Sequence, residues 1–256
     1  MKIRSSLFLH MALPGDDEDM DDSIALVRHL APDPSIWDEI IGDAAHRSYM
    51  FLRHKSPNVT IQDMEHLMEM VEWRPLINAA GAVSRKTAWY VTPPCCCPYG
   101  YGNDIVMPQS MPPWFLQMSR RWLHEALGDH TSMPDSANLN LYEHGGHSVH
   151  WHADDERLFD GRNSDCRIIS VSLGADRLFK AALSLGRSRD GLLTPYPWQV
   201  AVQLTHGDIC TMEGLFQKHY IHKVSRCVRQ QVTPRINVTF RYLVHHVQSC
   251  PLGSSS

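Results

Sequence analysis

Asn138-Leu-Asn-Leu-Tyr-Glu-His-Gly-Gly-His-Ser-Val-His-Trp-His-Ala-Asp-Asp-Glu156 concentrates histidines and carboxylates around a pair of glycines. In an extended segment successive side chains alternate faces, so His150, His152 and Asp154 are expected on one side. A His-x-Asp pair joined by a distant second histidine makes a 2-His-1-carboxylate triad. Its open positions suit non-heme Fe(II) and oxygen chemistry. The pair alone is a weak signal. With 16 His and 28 acidic residues in the chain, about two His-x-acid pairs are expected by chance. His206-Gly207-Asp208 is a rival, but its Gly and Asp read as a turn between strands. His219 and His222 are the candidates for the distant histidine. Alternation puts them on opposite faces, so only one can serve.

Around this stretch the pattern is beta. Candidate strands cover 137–142, 147–153, 167–173, 177–182, 198–204, 208–213, 219–224 and 235–244, punctuated by Gly and Pro turns. Such short strands with no helices between them predict a mostly β chain with flanking helices and a jelly-roll core. The last strand, Arg235-Ile-Asn-Val-Thr-Phe-Arg241, alternates polar and apolar residues. Arg235, Asn237, Thr239 and Arg241 share a face. Two guanidinium groups pointing into a barrel require an anionic partner, and a dicarboxylate held by bidentate contacts would serve. A solvated outer face is the alternative.

Upstream, Asp33 and Pro34 read as a helix start, with Ile36, Trp37, Ile40 and Ile41 on one apolar face. Ile61, Met64, Leu67, Met68 and Val71 repeat helical spacing over 60–71 and read as core. A short strand at Arg85–Tyr90 leads into Pro93–Met111, too rich in breakers for regular structure. Pro112 and Pro113 open a helix with Phe115, Met118, Trp122 and Ala126 along one side and Gly128 at its end.

Composition is that of an ordinary soluble protein, 43% apolar and 20% charged, and no apolar run is long enough to span a membrane. The net charge of −4 argues mildly against a nucleic-acid partner. Six acids between Asp16 and Asp22 supply that excess, however, and the remainder is slightly basic. The expected organisation is an acidic, disordered arm over 1–31, a helical N-terminal extension over 32–81, a catalytic domain over 82–246 and a flexible tail over 247–256. No secretory signal is expected at the N-terminus. Seven cysteines, three of them consecutive at Cys95–Cys97, form no even framework. They point to a reducing, intracellular compartment, nucleus or cytoplasm. The triple reads as free or buried thiols, because a zinc site would need a second knuckle at suitable spacing and none is evident.

Asn140-x-Tyr142, His152-x-Asp154 with Asp155-Glu156, Ser170-Val-Ser-Leu-Gly-Ala175, His206-Gly-Asp208, Met212-Glu-Gly214, His222 and Arg235-x-Asn-x-Thr-x-Arg241 follow one another in order. This series resembles the AlkB family of Fe(II)/2-oxoglutarate dioxygenases, and within it the eukaryotic nucleic-acid dealkylases of the second and third homologue type. Arg85-Lys-Thr-Ala-Trp-Tyr90 also fits, so the resemblance runs from about residue 82 to 244. It implies a double-stranded β-helix with catalytic iron held by His152, Asp154 and His222. It also implies 2-oxoglutarate and O2 as co-substrates. The far carboxylate of 2-oxoglutarate would meet Arg235, and Arg241 would lie near its keto-acid end. Asn140, Tyr142, Asn237 and Thr239 would surround it.

The implied reaction is oxidative dealkylation of N-alkylated bases in DNA or RNA, releasing an aldehyde, succinate and carbon dioxide. Asp155 and Glu156 would touch the damaged base. Segment 91–111 takes the place of a nucleotide-recognition lid, where Tyr99 and Tyr101 either stack on bases or pack the loop onto the barrel. Arg85, Lys86, Arg120, Arg121, Arg187 and Arg189 are candidate phosphate contacts. Two departures from the family bear on the substrate: the Cys95–Gly102 sequence, and His150 where relatives carry an acid. A monomer acting on alkylated single-stranded DNA or RNA, away from membranes, is the expectation. The alternatives are the same chemistry on a protein side chain or small molecule, or a non-catalytic nucleic-acid-binding β-barrel.

Overall fold

The computed structural model describes residues 33–77, 81, 83–101, 104–127, 132–227 and 233–253, without the side chains of Val83 and Tyr101. The acidic arm expected over 1–31 and the helix stop at Gly128 lie outside this set. In chain order the first elements are β1 (Asp38–Asp43), β2 (Ser48–Arg53), α1 (Ile61–Met70), β3 (Arg74–Ile77), β4 (Val83–Val91), β5 (Tyr99–Tyr101), β6 (Asp104–Val106) and β7 (Gln109–Ser110). Next come α2 (Pro113–Leu127), β8 (Ser136–Tyr142), β9 (Val149–His152), β10 (Ile168–Gly174), β11 (Arg177–Arg187) and β12 (Leu193–Pro195). The last are β13 (Val200–Leu204), β14 (Ile209–Gly214), α3 (Phe216–His219), β15 (Tyr220–Val224) and β16 (Arg235–Arg241).

Two sheets face each other. The larger runs β1-β2-β14-β10-β16-β8-β4-β3, with β7 beside β4, and the smaller runs β12-β11-β15-β9, with β13 beside β11. The central strands of the larger sheet are buried on both faces, but the two faces differ in chemistry. Ala137, Leu139 and Leu141 of β8, Ile169, Val171 and Leu173 of β10, and Ile236, Val238 and Phe240 of β16 pack with Phe115, Trp122 and Leu67 of the helices. The intervening residues, among them Asn138, Asn140, Ser170, Arg235, Asn237, Thr239 and Arg241, face the smaller sheet. Each apolar side chain buried under the helices contributes about 1.5–3 kcal/mol. That face therefore fixes the register, and a one-residue slip would turn the polar set into the helix layer.

Three expectations need correction. Residues 38–43 form a strand, not a helix. Ile36, Trp37, Ile40 and Ile41 suit either period, and pairing with β2 decides, because β2 is itself hydrogen-bonded to β14. A bulge between Glu39 and Ile41 shifts the parity, which sends Trp37 to the helix-side core and Ile41 to the inner one. The stretch 32–81 is thus no helical extension: one helix, α1, sits among strands that complete the main sheet. Segment 93–111 is also more regular than its breakers suggested. Tyr99 and Val106, 1% and 3% exposed, pair across a β5–β6 hairpin. The described part of the tail expected to be free from 247, residues 247–253, instead folds back, with Val247 N–H donating to Cys97 Sγ at 3.4 Å and Cys250 buried.

Asp63 shows how the helices are secured. It closes a capping box with Thr60 at the start of α1, accepts from Trp122 Nε1 at 2.9 Å, and pairs with Arg121 of α2. Asp63→Ala removes the reciprocal cap, worth about 1 kcal/mol, and strands a buried indole donor at about 1–3 kcal/mol. A loss of about 2–4 kcal/mol is expected from the denaturant midpoint at unchanged slope. Burial would raise the Asp63 carboxyl, but Arg121, Thr60 and Trp122 together hold it below its ordinary 3.8. The unfolded chain therefore binds the proton more readily. This stabilisation is complete above about pH 4 and is lost as pH falls through the folded value.

Candidate functional site

Between the sheets lies a cavity of about 50 Å³, lined by strands of both. The smaller sheet brings two histidines to it by register, because His152 of β9 stands directly across from His222 of β15. Their ring centroids are 4.2 Å apart. Asp154 follows two residues beyond β9, where Gln217 Oε1 accepts its backbone N–H at 2.9 Å and holds the turn. Its carboxylate oxygens lie 3.7 Å from His152 Nε2 and 3.9 Å from His222 Nε2.

The protonation states suit a divalent cation. His152 Nδ1 donates to His150 O at 2.8 Å, which leaves Nε2 with its lone pair toward the carboxylate. Burial lowers the His152 value, and burial followed by His152 pushes His222 down to about 3, so both rings are neutral at pH 7. Burial alone would raise the Asp154 carboxyl. Arg241, then His222 and His152, outweigh it and hold the group well below the usual carboxylate range. Two neutral imidazoles and one carboxylate, all three donor atoms within 4.8 Å, form a donor set that fits Fe(II).

The larger sheet supplies the opposite charge. Arg235, 1% exposed, gives Nη2 to Ser172 Oγ at 3.0 Å and lies 5.3 Å from the centre of the Tyr142 ring. Burial lowers its value to about 10, so it stays charged at neutral pH. Arg241 donates from Nη2 to Asp154 Oδ2 at 2.6 Å. Nε and Nη1 of both arginines are buried without a hydrogen-bond partner among the described residues. Each such orphan costs about 1–3 kcal/mol, and an anion reaching both groups would satisfy them. The amides around it are already oriented. Asn237 Nδ2 donates to Ser170 Oγ at 2.7 Å, Thr239 Oγ1 donates to Asn237 Oδ1 at 3.2 Å, and Asn140 Oδ1 accepts from Arg85 Nε at 2.6 Å. A dicarboxylate fits this arrangement.

The other sequence-derived candidates divide. His206 and His219 stay out of the site. His206 Nδ1 accepts from Gly174 N, with Asp208 capping the turn through Thr205 N and Lys55 N, whereas His219 in α3 packs on His46. His150 does not join the cavity face as expected; it is exposed and contributes its carbonyl. Asp155 is paired with Arg162 at 3.1 Å. Glu156 accepts from Tyr99 OH at 2.6 Å, and burial together with Asp154 pushes it up to about 7.

Of the two readings of Tyr99, base stacking or packing of the loop, the structure takes the second, and Tyr99 is no open substrate contact. It is 1% exposed and lies against Trp89 at 5.0 Å, so it is packing rather than an open platform. Tyr101 ends β5, and its side chain is outside the described set. Arg85 is no surface phosphate contact, since it lines the cavity beside Asn140. Arg121 is committed to Asp63, and Lys86 to Glu143. Sequence reading missed Arg85 as a cavity residue and missed Gln217 altogether. Alternation along 85–87 beside Asn138 and Asn140 was a usable signal for the first. Nothing local marked the second.

The chain is similar to proteins of related description. It is 32% identical over 195 residues to the human alpha-ketoglutarate-dependent dioxygenase alkB homolog 3, covering 73% of this chain and 63% of that protein. It is 31% identical over 123 residues to the DNA oxidative demethylase ALKBH2 of Arabidopsis thaliana, 43% of this chain and 38% of that one. The chain thus spans less than two thirds of the length of these relatives. The solved structure of OsALKBH1 superposes with a TM-score of 0.50 at 17% identity, over 75% of this chain and 96% of that one, in agreement with the jelly-roll core. Among the described residues no helix is long and apolar enough to cross a membrane. The model of the 2OG-Fe(II) oxygenase superfamily matches residues 49–241, from within β2 to the last residue of β16. Since that span carries both the histidine pair and the two arginines, the chain belongs to the 2OG-Fe(II) oxygenase superfamily.

Proposed function

We propose that this chain is an Fe(II)/2-oxoglutarate-dependent dioxygenase that removes alkyl groups from N-alkylated bases of DNA or RNA, releasing an aldehyde, succinate and carbon dioxide. The observation that carries the reading is the meeting, in one cavity, of two neutral histidines and a carboxylate with two buried arginines whose Nε and Nη1 donors have no partner among the described residues. Iron held by His152, Asp154 and His222 would supply the activation of O2 at the expense of 2-oxoglutarate. The chain's own residues bind and orient. Arg235, set against Ser172 and Tyr142, would hold the far carboxylate, and Arg241, paired with Asp154, would take part in holding the keto-acid end. Gln217 and the His150 carbonyl keep the ligands in place. Phe179, Leu204 and Val224 line the smaller-sheet side and exclude water.

Nucleic acid as substrate is supported by the names of the relatives and by one surface. With Tyr99 buried, Tyr196 and Trp198, 42% and 80% exposed, are the exposed aromatic side chains among the described residues, and they lie just after β12 at the base of the β11–β12 hairpin. Arg187 and Arg189 lie in the same hairpin, and β12 packs beside β9, which carries His152. Aromatic stacking is sequence-tolerant and worth about 1–3 kcal/mol per base, and flipping costs least for damaged or single-stranded bases.

The test is incubation with Fe(II), 2-oxoglutarate and methylated single-stranded or duplex oligonucleotides, with succinate and demethylated base measured by mass spectrometry. Single strands are expected to turn over faster, with affinity falling with salt at a slope of roughly −0.7 per phosphate contact. Trp198→Ala is expected to weaken oligonucleotide binding by roughly 5- to 150-fold, the equivalent of one lost stack, at unchanged 2-oxoglutarate affinity. Succinate release that no methylated oligonucleotide stimulates would move the same chemistry to a protein side chain or small molecule.

A further inference from the structure

Outside the cavity, a second set of metal-binding groups converges. Cys95 and Cys97 stand just before β5, and His246 and Cys250 stand in the segment after β16. His246 Nδ1 is 3.7 Å from Cys95 Sγ, 3.5 Å from Cys97 Sγ and 3.6 Å from Cys250 Sγ, and the Cys95 and Cys250 sulfurs are 3.9 Å apart. A tetrahedral zinc site has Zn–S of about 2.3 Å and Zn–N of about 2.0–2.1 Å. That geometry sets sulfur roughly 3.5–3.6 Å from nitrogen and roughly 3.7–3.8 Å from another sulfur. The observed spacings match to within about 0.2 Å of those values. The sulfurs are too far apart for a disulfide, which needs about 2.05 Å, and all seven cysteines are free.

We infer that Cys95, Cys97, His246 and Cys250 bind one structural Zn2+ in a closed Cys3His site. Three soft sulfurs and one imidazole with no open position suit zinc in a structural role rather than an iron centre that must admit oxygen. The thiols lose their protons on binding. Cys95, Cys97 and Cys250 are 8%, 0% and 4% exposed, while the adjacent Cys96 is exposed and points to Ser249 O. The second knuckle is therefore His246-x-x-x-Cys250, which straddles the boundary expected between the domain, ending at 246, and the tail, starting at 247.

The site would staple the base of the β5–β6 hairpin to the C-terminal segment. Cys97 O accepts from Trp89 Nε1 at 2.8 Å, Trp89 stacks on Tyr99, and Tyr99 reaches Glu156, two residues from Asp154. The metal would thus set the position of the hairpin wall beside the cavity. This inference goes beyond the dealkylation reading and is tested without activity.

The experiment is elemental analysis of the full chain, expressed with zinc and purified under reducing conditions. About one zinc per chain is expected, retained in His152→Ala and Cys96→Ser and lost in Cys97→Ser, His246→Ala and Cys250→Ser. Replacement of the metal by Co(II) in the unmodified chain should give the intense visible bands and thiolate charge transfer of a tetrahedral site. That measurement decides the question even if a cysteine variant fails to fold. Reconstituted chain with no bound zinc and no such cobalt spectrum would overturn the inference. So would a Cys95–Cys250 disulfide in the reduced preparation, or zinc loss in Cys96→Ser equal to that in Cys97→Ser.

Discussion

Arg235→Ala is expected to raise the dissociation constant for 2-oxoglutarate by roughly two to three and a half powers of ten, since breaking a buried, hydrogen-bonded charge pair costs about 3–5 kcal/mol. The residue is 1% exposed, and its Nε and Nη1 have no other partner among the described residues. A carboxylate that reaches it gains a fork geometry at a site whose desolvation has already been met on folding. Arg235→Lys should recover only part of the affinity, because an ammonium is a point charge without that fork. Arg235→Met separates binding from folding. It removes an uncompensated buried cation, so its Tm should equal or exceed that of the unsubstituted chain even as 2-oxoglutarate binding collapses. Calorimetric titration and a thermal melt on the same samples check both halves. Unchanged 2-oxoglutarate affinity in the alanine variant would place the dicarboxylate pocket elsewhere.

His222→Ala is expected to abolish turnover and to lower iron affinity by more than the roughly 10–100-fold that removal of a mere outer partner of a ligand costs. His152→Ala and Asp154→Ala should do the same. His206→Ala and His219→Ala should leave iron affinity largely intact, because the first receives Gly174 N–H and the second packs on His46. Metal titration by fluorescence quenching, read alongside succinate release, distinguishes the five. Normal iron binding in His222→Ala with loss in His206→Ala would invert the assignment. Gln217→Ala makes a finer probe. Freeing the Asp154 backbone N–H from Gln217 Oε1 should weaken iron binding by about 10-fold or more while every ligand remains.

Much of this was legible in the chain itself. The strand pattern from residue 137 onward was readable because both faces of those strands are decided locally: apolar residues under the helices, polar ones toward the cavity. Arg235, Asn237, Thr239 and Arg241 announced their shared face by simple alternation, whereas His152-x-Asp154 stood out from its rival at His206-x-Asp208 only through its place in the ordered series of motifs.

What local pattern could not supply was anything that depends on which distant segments meet. His222 rather than His219 enters the site because β15 pairs with β9 in the register that sets His222 opposite His152. Residues 38–43 are strand because β2 offers an edge bonded in turn to β14, an advantage invisible to a four-residue apolar set that suits either period. Tyr99 is core because Val106 and Trp89 close over it. The Cys3His set joins residues about 150 apart in sequence, so no spacing rule within one knuckle could reveal it. Periodicity and residue chemistry determined the elements and the kind of donors they carry. Strand register and chain return, set by burial summed over the whole sheet, decided which of those donors share a site.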